Sequence, residues 1–206
     1  MERELRNALR LAVTRCRTLL EEDFSGQLEG EYGVYAGGRV ADEDALPQLD
    51  AEGLRARRAI VAAIAHRRAG GVKPAEAVTQ FVRESAFSTL NRLTALKLME
   101  APERRLVQQS LGDGASSSGF RQFLLLSPEA MRPEPDGGYR LYLELLFQDL
   151  SAEIGVLFDL DLPQGILFPR ERTLRALLEE LNAPALAKVW GEDETLGWVY
   201  QYFTPK

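Results

Sequence analysis

PAEAVTQFVRESAFSTLNRLTALKLME, residues 74–100, is the stretch that decides the fold class. Pro74 has no N–H to lose and a fixed φ near the helical value, so it suits a first helical position. Behind it Phe81, Val82, Ala86, Phe87, Leu90, Leu93, Ala95, Leu96, Leu98 and Met99 occupy much of a helical circumference. A helix that is apolar almost all round is predicted to be buried on most sides. Its one narrow polar stripe combines Glu84, Ser88, Asn91 and Arg92, and Pro102 closes the run.

Working outward, residues 51–68 predict a second helix, with Leu54, Ile60, Val61 and Ile64 on one side and Arg55, Arg58 and His66 on the other. Gly70-Gly71 stops it. Glu2–Glu22 predicts a first helix through Leu5, Leu9, Ala12, Val13, Cys16, Leu19 and Leu20. Residues 25–50, rich in Gly and Asp, predict a long loop with some local strand near Tyr32–Tyr35. Downstream, Gly112–Gly119 reads as a flexible linker and Pro133–Gly138 as a second break, with a short apolar run from Phe120 to Leu126 between them. A long helix over 139–158 follows, then one opening at Pro169 with core positions Leu174, Leu177, Leu178 and Leu181. A last helix begins near Asp193, with Leu196, Val199, Tyr200 and Phe203 at i, i+3, i+4 and i+7. The expected class is mainly α: a multi-helix, bundle-like domain with long loops and little or no strand. Residues 1–206 read as a single helical module, with subdivision into 1–111 and 120–206 at the Gly/Ser segment as the alternative.

Composition narrows the function classes. The most apolar stretch, 141–162, is interrupted by six polar or acidic side chains, so no membrane span is predicted. The N-terminus lacks the pattern of a secretory signal. A single cysteine, Cys16, excludes an internal disulfide framework, and a cytoplasmic location is the expectation. The net charge of −6 argues against a free-standing, non-specific nucleic-acid binder. Charge is uneven, however: Leu54–Lys73 holds six basic residues and no acid, whereas Leu141–Pro169 holds acids alone. Arg55, Arg58, Arg67, Arg68 and Lys73 are therefore the candidate DNA-phosphate contacts. The competing expectation is a solvated face, or docking against the acidic 141–161 helix.

Few residues offer catalysis. Gly112–Gly119 superficially resembles a phosphate loop, but Phe120 stands where the lysine of that motif is required. Asp159 and Asp161 lack further ligands, His66 is the only histidine, and Cys16 lies on an apolar face. None of the four lysines has an acid two positions before it, which disfavours a nuclease centre. Trp198 and Tyr202, four apart, could stack a base but are expected to pack. No catalytic and no metal-ligating residue is assigned.

Two stretches carry a resemblance. Ala86-Phe-Ser-Thr-Leu-Asn-Arg-Leu-Thr-Ala-Leu-Lys-Leu-Met-Glu-Ala101 resembles an early helix of the PglX-type adenine-specific DNA methyltransferases of BREX phage-defence systems. Type IIG restriction–modification enzymes carry related helices. Glu194-Thr-Leu-Gly-Trp-Val-Tyr-Gln-Tyr-Phe203 resembles the Gly-Trp-x-Tyr-Gln-Tyr segment about a hundred residues further on in the same family. Leu157-Phe-Asp-Leu-Asp-Leu-Pro-Gln-Gly-Ile-Leu-Phe-Pro169 looks like the connector between them. Order and spacing agree over roughly residues 75–203.

The resemblance implies a parent enzyme that transfers a methyl group from S-adenosylmethionine to adenine in DNA, with the base flipped out of the duplex. The Asn-Pro-Pro-Tyr motif and the cofactor loop of that family lie downstream and are not in this sequence. A truncated chain or split subunit is therefore expected, non-catalytic and without cofactor of its own. Its expected partners are DNA through the full-length enzyme, the downstream methyltransferase domain and other phage-defence proteins. The alternatives are the same piece of a restriction–modification enzyme, or a stand-alone protein- or DNA-binding adaptor. The motif positions Phe87, Asn91, Arg92, Glu100, Gly197, Trp198, Tyr200, Gln201 and Tyr202 are expected to be structural. Arg92 should pair with a carboxylate (Glu84 or one from another segment), Asn91 should tie down backbone, and Trp198, Tyr200 and Tyr202 should hold the last helix to the core or to the absent methyltransferase domain.

Overall fold

The computed structural model describes residues 1–131 and 138–204. The chain is about 70% helical, so it has the mainly α, multi-helix architecture that the periodicity predicts. The helices are α1 (Arg3–Gly30), α2 (Ala51–Ala69), α3 (Pro74–Glu100), α4 (Ser118–Leu126), α5 (Tyr139–Ser151), α6 (Gly155–Phe158), α7 (Glu171–Leu181) and α8 (Thr195–Phe203). Among the described residues the only β pairing is one isolated antiparallel bridge, Val34–Val40, beside the strand-like run. Among them, too, no helix is long and apolar enough to cross a membrane. Of the break expected over 133–138, only Gly138 lies within the described residues; at φ +94° it precedes α5.

The chain forms two compact units. The first takes residues 1–19, 90–159 and 170–206; the second takes 20–89 and 160–169. The segment 112–119, read as a linker, lies inside the first unit. It holds a 3-10 turn at Gly114–Ser116, and the buried Ser117 caps α4 by accepting from the Phe120 amide at 3.3 Å.

In the first unit the core draws on Leu9, Val13 and Cys16 of α1, Leu90, Leu93 and Leu96 of α3, and the leucine face of α7. An aromatic cluster joins α4 to α5, with Phe120 edge-on to Tyr139 at 5.3 Å between ring centroids. Burial, with Glu180 nearby, pushes the Cys16 thiol up to about 12, so it is a protonated core residue.

In the second unit Leu20, Phe24 and Leu28 of α1 pack with Ile60 and Ile64 of α2 and Phe81 and Val82 of α3, all buried. Gln27 is buried as well and donates to the Phe168 carbonyl at 2.8 Å.

Three boundaries depart from the sequence reading. α1 runs to Gly30 rather than Glu22, because Phe24, Gln27 and Leu28 carry its buried stripe past Gly26. The single helix expected over 139–158 is broken between α5 and α6, where Ile154 leaves the helical region at φ −130°, ψ 59°. Finally, α7 starts at Glu171, with extended Arg170 ahead of it, rather than at Pro169.

Candidate functional site

The basic segment is divided by local geometry. Asp50 caps α2 by accepting from the Gly53 amide, and the helix then runs to Ala69. At about 100° per residue, Arg67 and Arg68 point roughly 120° and 140° away from Arg55, so the cations do not share one face. Arg58 makes a two-pronged pair with Glu43, Nε to Oε1 at 2.9 Å and Nη2 to Oε2 at 2.7 Å. That pairing holds the Glu43 carboxyl below its ordinary range. Arg67 donates to the Ala63 carbonyl at 2.7 Å and pairs with Glu84. Arg55, Arg68 and Lys73 are exposed and, among the described residues, make no ion pair.

The neighbouring Arg57, which the sequence reading passed over, is buried. Its guanidinium donates to the carbonyl of Tyr32 at 3.0 Å and to that of Ala41, tying the 31–46 loop to α2.

The motif positions on α3 act inside the first unit. Arg92 is 3% exposed. It donates from Nε to the Leu157 carbonyl at 3.0 Å and from Nη2 to the Asp159 carbonyl at 2.8 Å. Its hydrogen bonds thus go to main-chain oxygens at the end of α6. The carboxylate that compensates it is that of Asp159, not Glu84, which belongs to Arg67. Burial lowers the guanidinium to about 10, with the charge of Asp159 opposing, so Arg92 remains a cation at neutral pH. Asn91 is half-buried and, among the described residues, its amide makes no hydrogen bond, so the backbone tie expected of it is not made. Phe87 is half-buried and lies in the second unit.

Glu100 is the hub. Its carboxylate, 3% exposed, accepts from Lys97 Nζ at 2.7 Å. It also accepts from three successive backbone amides: Ser110 at 2.7 Å, Leu111 at 2.9 Å and Gly112 at 3.0 Å. Three N–H groups converging on one anion form a nest of the kind that cradles phosphate, here filled by the chain itself. Lys97 also donates to Asn182 Oδ1 at 2.9 Å, and Asn182 Nδ2 returns to the Leu111 carbonyl at 2.9 Å. Tyr139 OH donates to the Ser110 carbonyl at 2.6 Å; burial, Glu100 and Tyr142 push its ionisation far up. Nothing in the residues 110–112 themselves announced this arrangement. The only signal was that Lys97, one of four lysines, sits in an apolar helix three before an acid.

Beside this hub opens a cleft of about 450 Å³, lined among others by Lys97, Glu100, Arg105, Gln109, Asn182 and Trp190. A second one, of about 480 Å³, has Tyr139, Leu174 and Leu178 below a rim that includes Asp113, Glu171 and Glu179.

In α8 the buried residues are Thr195, Val199 and Phe203, while Leu196 is 40% and Tyr200 59% exposed, which corrects the expected i, i+3, i+4, i+7 core face. Trp198 and Tyr202 are half-buried and stacked on each other at 5.6 Å, with Arg6 over the Trp198 ring at 5.1 Å. Gly197 and Gln201 face outward. Arg17 ties down the end of the helix by donating to the Phe203 carbonyl at 2.9 Å.

Among the described residues no three His, Cys, Asp or Glu side chains are grouped to hold a metal ion. What these contacts do is join distant segments, and the open chemistry lies in the cleft beside Glu100. Compared with family models, curated proteins and solved structures, the chain finds no match.

Proposed function

We propose that this chain is the non-catalytic, helical N-terminal module of an S-adenosylmethionine-dependent, adenine-specific DNA methyltransferase of the BREX phage-defence type. It serves as a scaffold and as a docking surface for DNA or partner proteins. The observation that carries the reading is the Arg92 contact. The arginine of the first motif helix is buried and holds the carbonyls of Leu157 and Asp159, in the segment that the resemblance places second. Residues that the resemblance picks out by letter thus meet in space, which supports a shared module over a chance match of two helices. The third segment, α8, belongs to the same compact unit as Arg92 and Glu100. On this reading the cations open to a DNA phosphate are Arg55, Arg68 and Lys73, since Arg58 and Arg67 are already neutralised by Glu43 and Glu84.

The test is a methylome. Removing the coding sequence of this chain from its native cell and mapping N6-methyladenine by single-molecule sequencing should abolish methylation at one sequence motif. Restoring the coding sequence should bring it back. A methylation pattern unchanged by the removal would sink the reading.

A further inference from the structure

We propose that the cleft beside Glu100 is a binding site for a nucleoside monophosphate, a ligand distinct from DNA and from the methyl donor of the parent enzyme. Its cationic side is Arg105, with one N–H of Lys97, whose charge is matched by Glu100, beside it. Arg105 sits at φ +48°, in the left-handed region that favours glycine. It is fixed there because its amide and that of Arg104 both donate to the Ala101 carbonyl, at 2.9 Å, while Leu106 donates back to Met99 at 2.8 Å. This is a helix C-terminal turn of the type that ordinarily selects glycine. An arginine kept there against backbone preference suggests a demand on the side chain.

The Arg105 Nε is spent on the Pro102 carbonyl at 3.1 Å. Among the described residues its two Nη groups have no partner, which leaves a fork suited to a phosphate. Lys97 is a three-donor ammonium with two donors engaged, to Glu100 and Asn182, so one N–H remains. Lys97 offsets the charge of Glu100, so the pair presents no net charge to an anion and Arg105 is the cation that draws it.

The remaining lining suits a base. Trp190, 5% exposed, closes one side of the cleft, with the Lys97 ammonium 5.9 Å from its ring centroid and its indole N–H turned away to the Leu181 carbonyl at 3.1 Å. Gln109 is a carboxamide, whose paired donor and acceptor match the hydrogen-bonding edge of a nucleobase, while Asn182 is held by Lys97 and the Leu111 carbonyl. Among the described residues the Gln109 amide is unpartnered. Gly112 makes room for it, since a Cβ there would lie 2.3 Å from Gln109 Nε2. A cleft of about 450 Å³ is also of small-ligand size.

The test is isothermal titration of the intact chain with AMP, CMP, GMP and UMP in turn. Saturable one-to-one binding of at least one of them is expected, with the matching nucleoside at least about tenfold weaker. Arg105→Gly relaxes the left-handed backbone and removes the fork together. It should bind at least about tenfold more weakly while melting no lower than the parent, so the loss cannot be misfolding. In a Trp198→Phe background Trp190 is the only tryptophan, and its emission should change along the same isotherm. The proposal is overturned by any of four results: no saturation with any of the four nucleotides, unchanged affinity in Arg105→Gly, inorganic phosphate binding as tightly as the nucleotide, or exclusive binding of a 5′-phosphorylated oligonucleotide.

Discussion

Arg92 shows how a single side chain can be legible in chemistry and illegible in partner. From sequence, a cation in an apolar helix demands compensation, and the carboxylate nearest along the helix is Glu84. In the structure two carbonyls, 65 and 67 residues away, take the hydrogen bonds instead, because the last turn of a helix exposes main-chain oxygens that need donors. Such a contact leaves no mark in the side chain at position 157, and at 159 only the charge of Asp159 hints at it. Replacing Arg92 by Met removes both donors from carbonyls that little else can serve, and should destabilise the chain by about 2–4 kcal/mol in urea unfolding. Lysine at 92 keeps the charge but loses the planar fork, so it should recover only part of that. A Met variant within about 0.5 kcal/mol of the parent would show that solvent replaces the guanidinium freely.

At the level of elements, helix types and most core faces could be read from periodicity. The ends of α3 at Pro74 and Glu100 coincide with the expectation, as does the leucine face of α7. Two readings failed for identifiable reasons. The face of α8 was misassigned because Thr195, buried with its hydroxyl donating to the Val189 carbonyl at 2.6 Å, takes a core position that carries no apolar signal, while Leu196 and Tyr200 turn outward. The Gly/Ser segment read as a linker because its two ends are held from outside it, the Gly112 amide by the Glu100 carboxylate and the Gly119 amide by the Gln109 carbonyl. Glu100→Gln therefore tests whether an acid can fold a loop. It weakens the nest and leaves the Lys97 ammonium facing a neutral group, so a loss of about 2–4 kcal/mol is expected. Adding Lys97→Met should then do less harm than it does alone, with a coupling of about 1–3 kcal/mol in the double-mutant cycle. Strict additivity would mean that the two residues act separately.

For the whole molecule, the mainly α class was evident in the sequence, while the division into two units was not. Both α1 and α3 contribute residues to each unit, and their apolar periods run on without a composition shift to mark a boundary. This sharing predicts cooperative behaviour. Far-UV circular dichroism, which reports on all the helices, and tryptophan emission, which reports on Trp190 and Trp198 of the first unit alone, should give coincident thermal transitions. Two separated midpoints would show that each unit melts independently. The burial of Arg92 and Glu100 carries a further consequence. Both side chains are turned inward, toward the chain's own backbone, and serve architecture. Exchanging exposed residues should therefore leave the frame intact, whereas a change at either of these two would strain it.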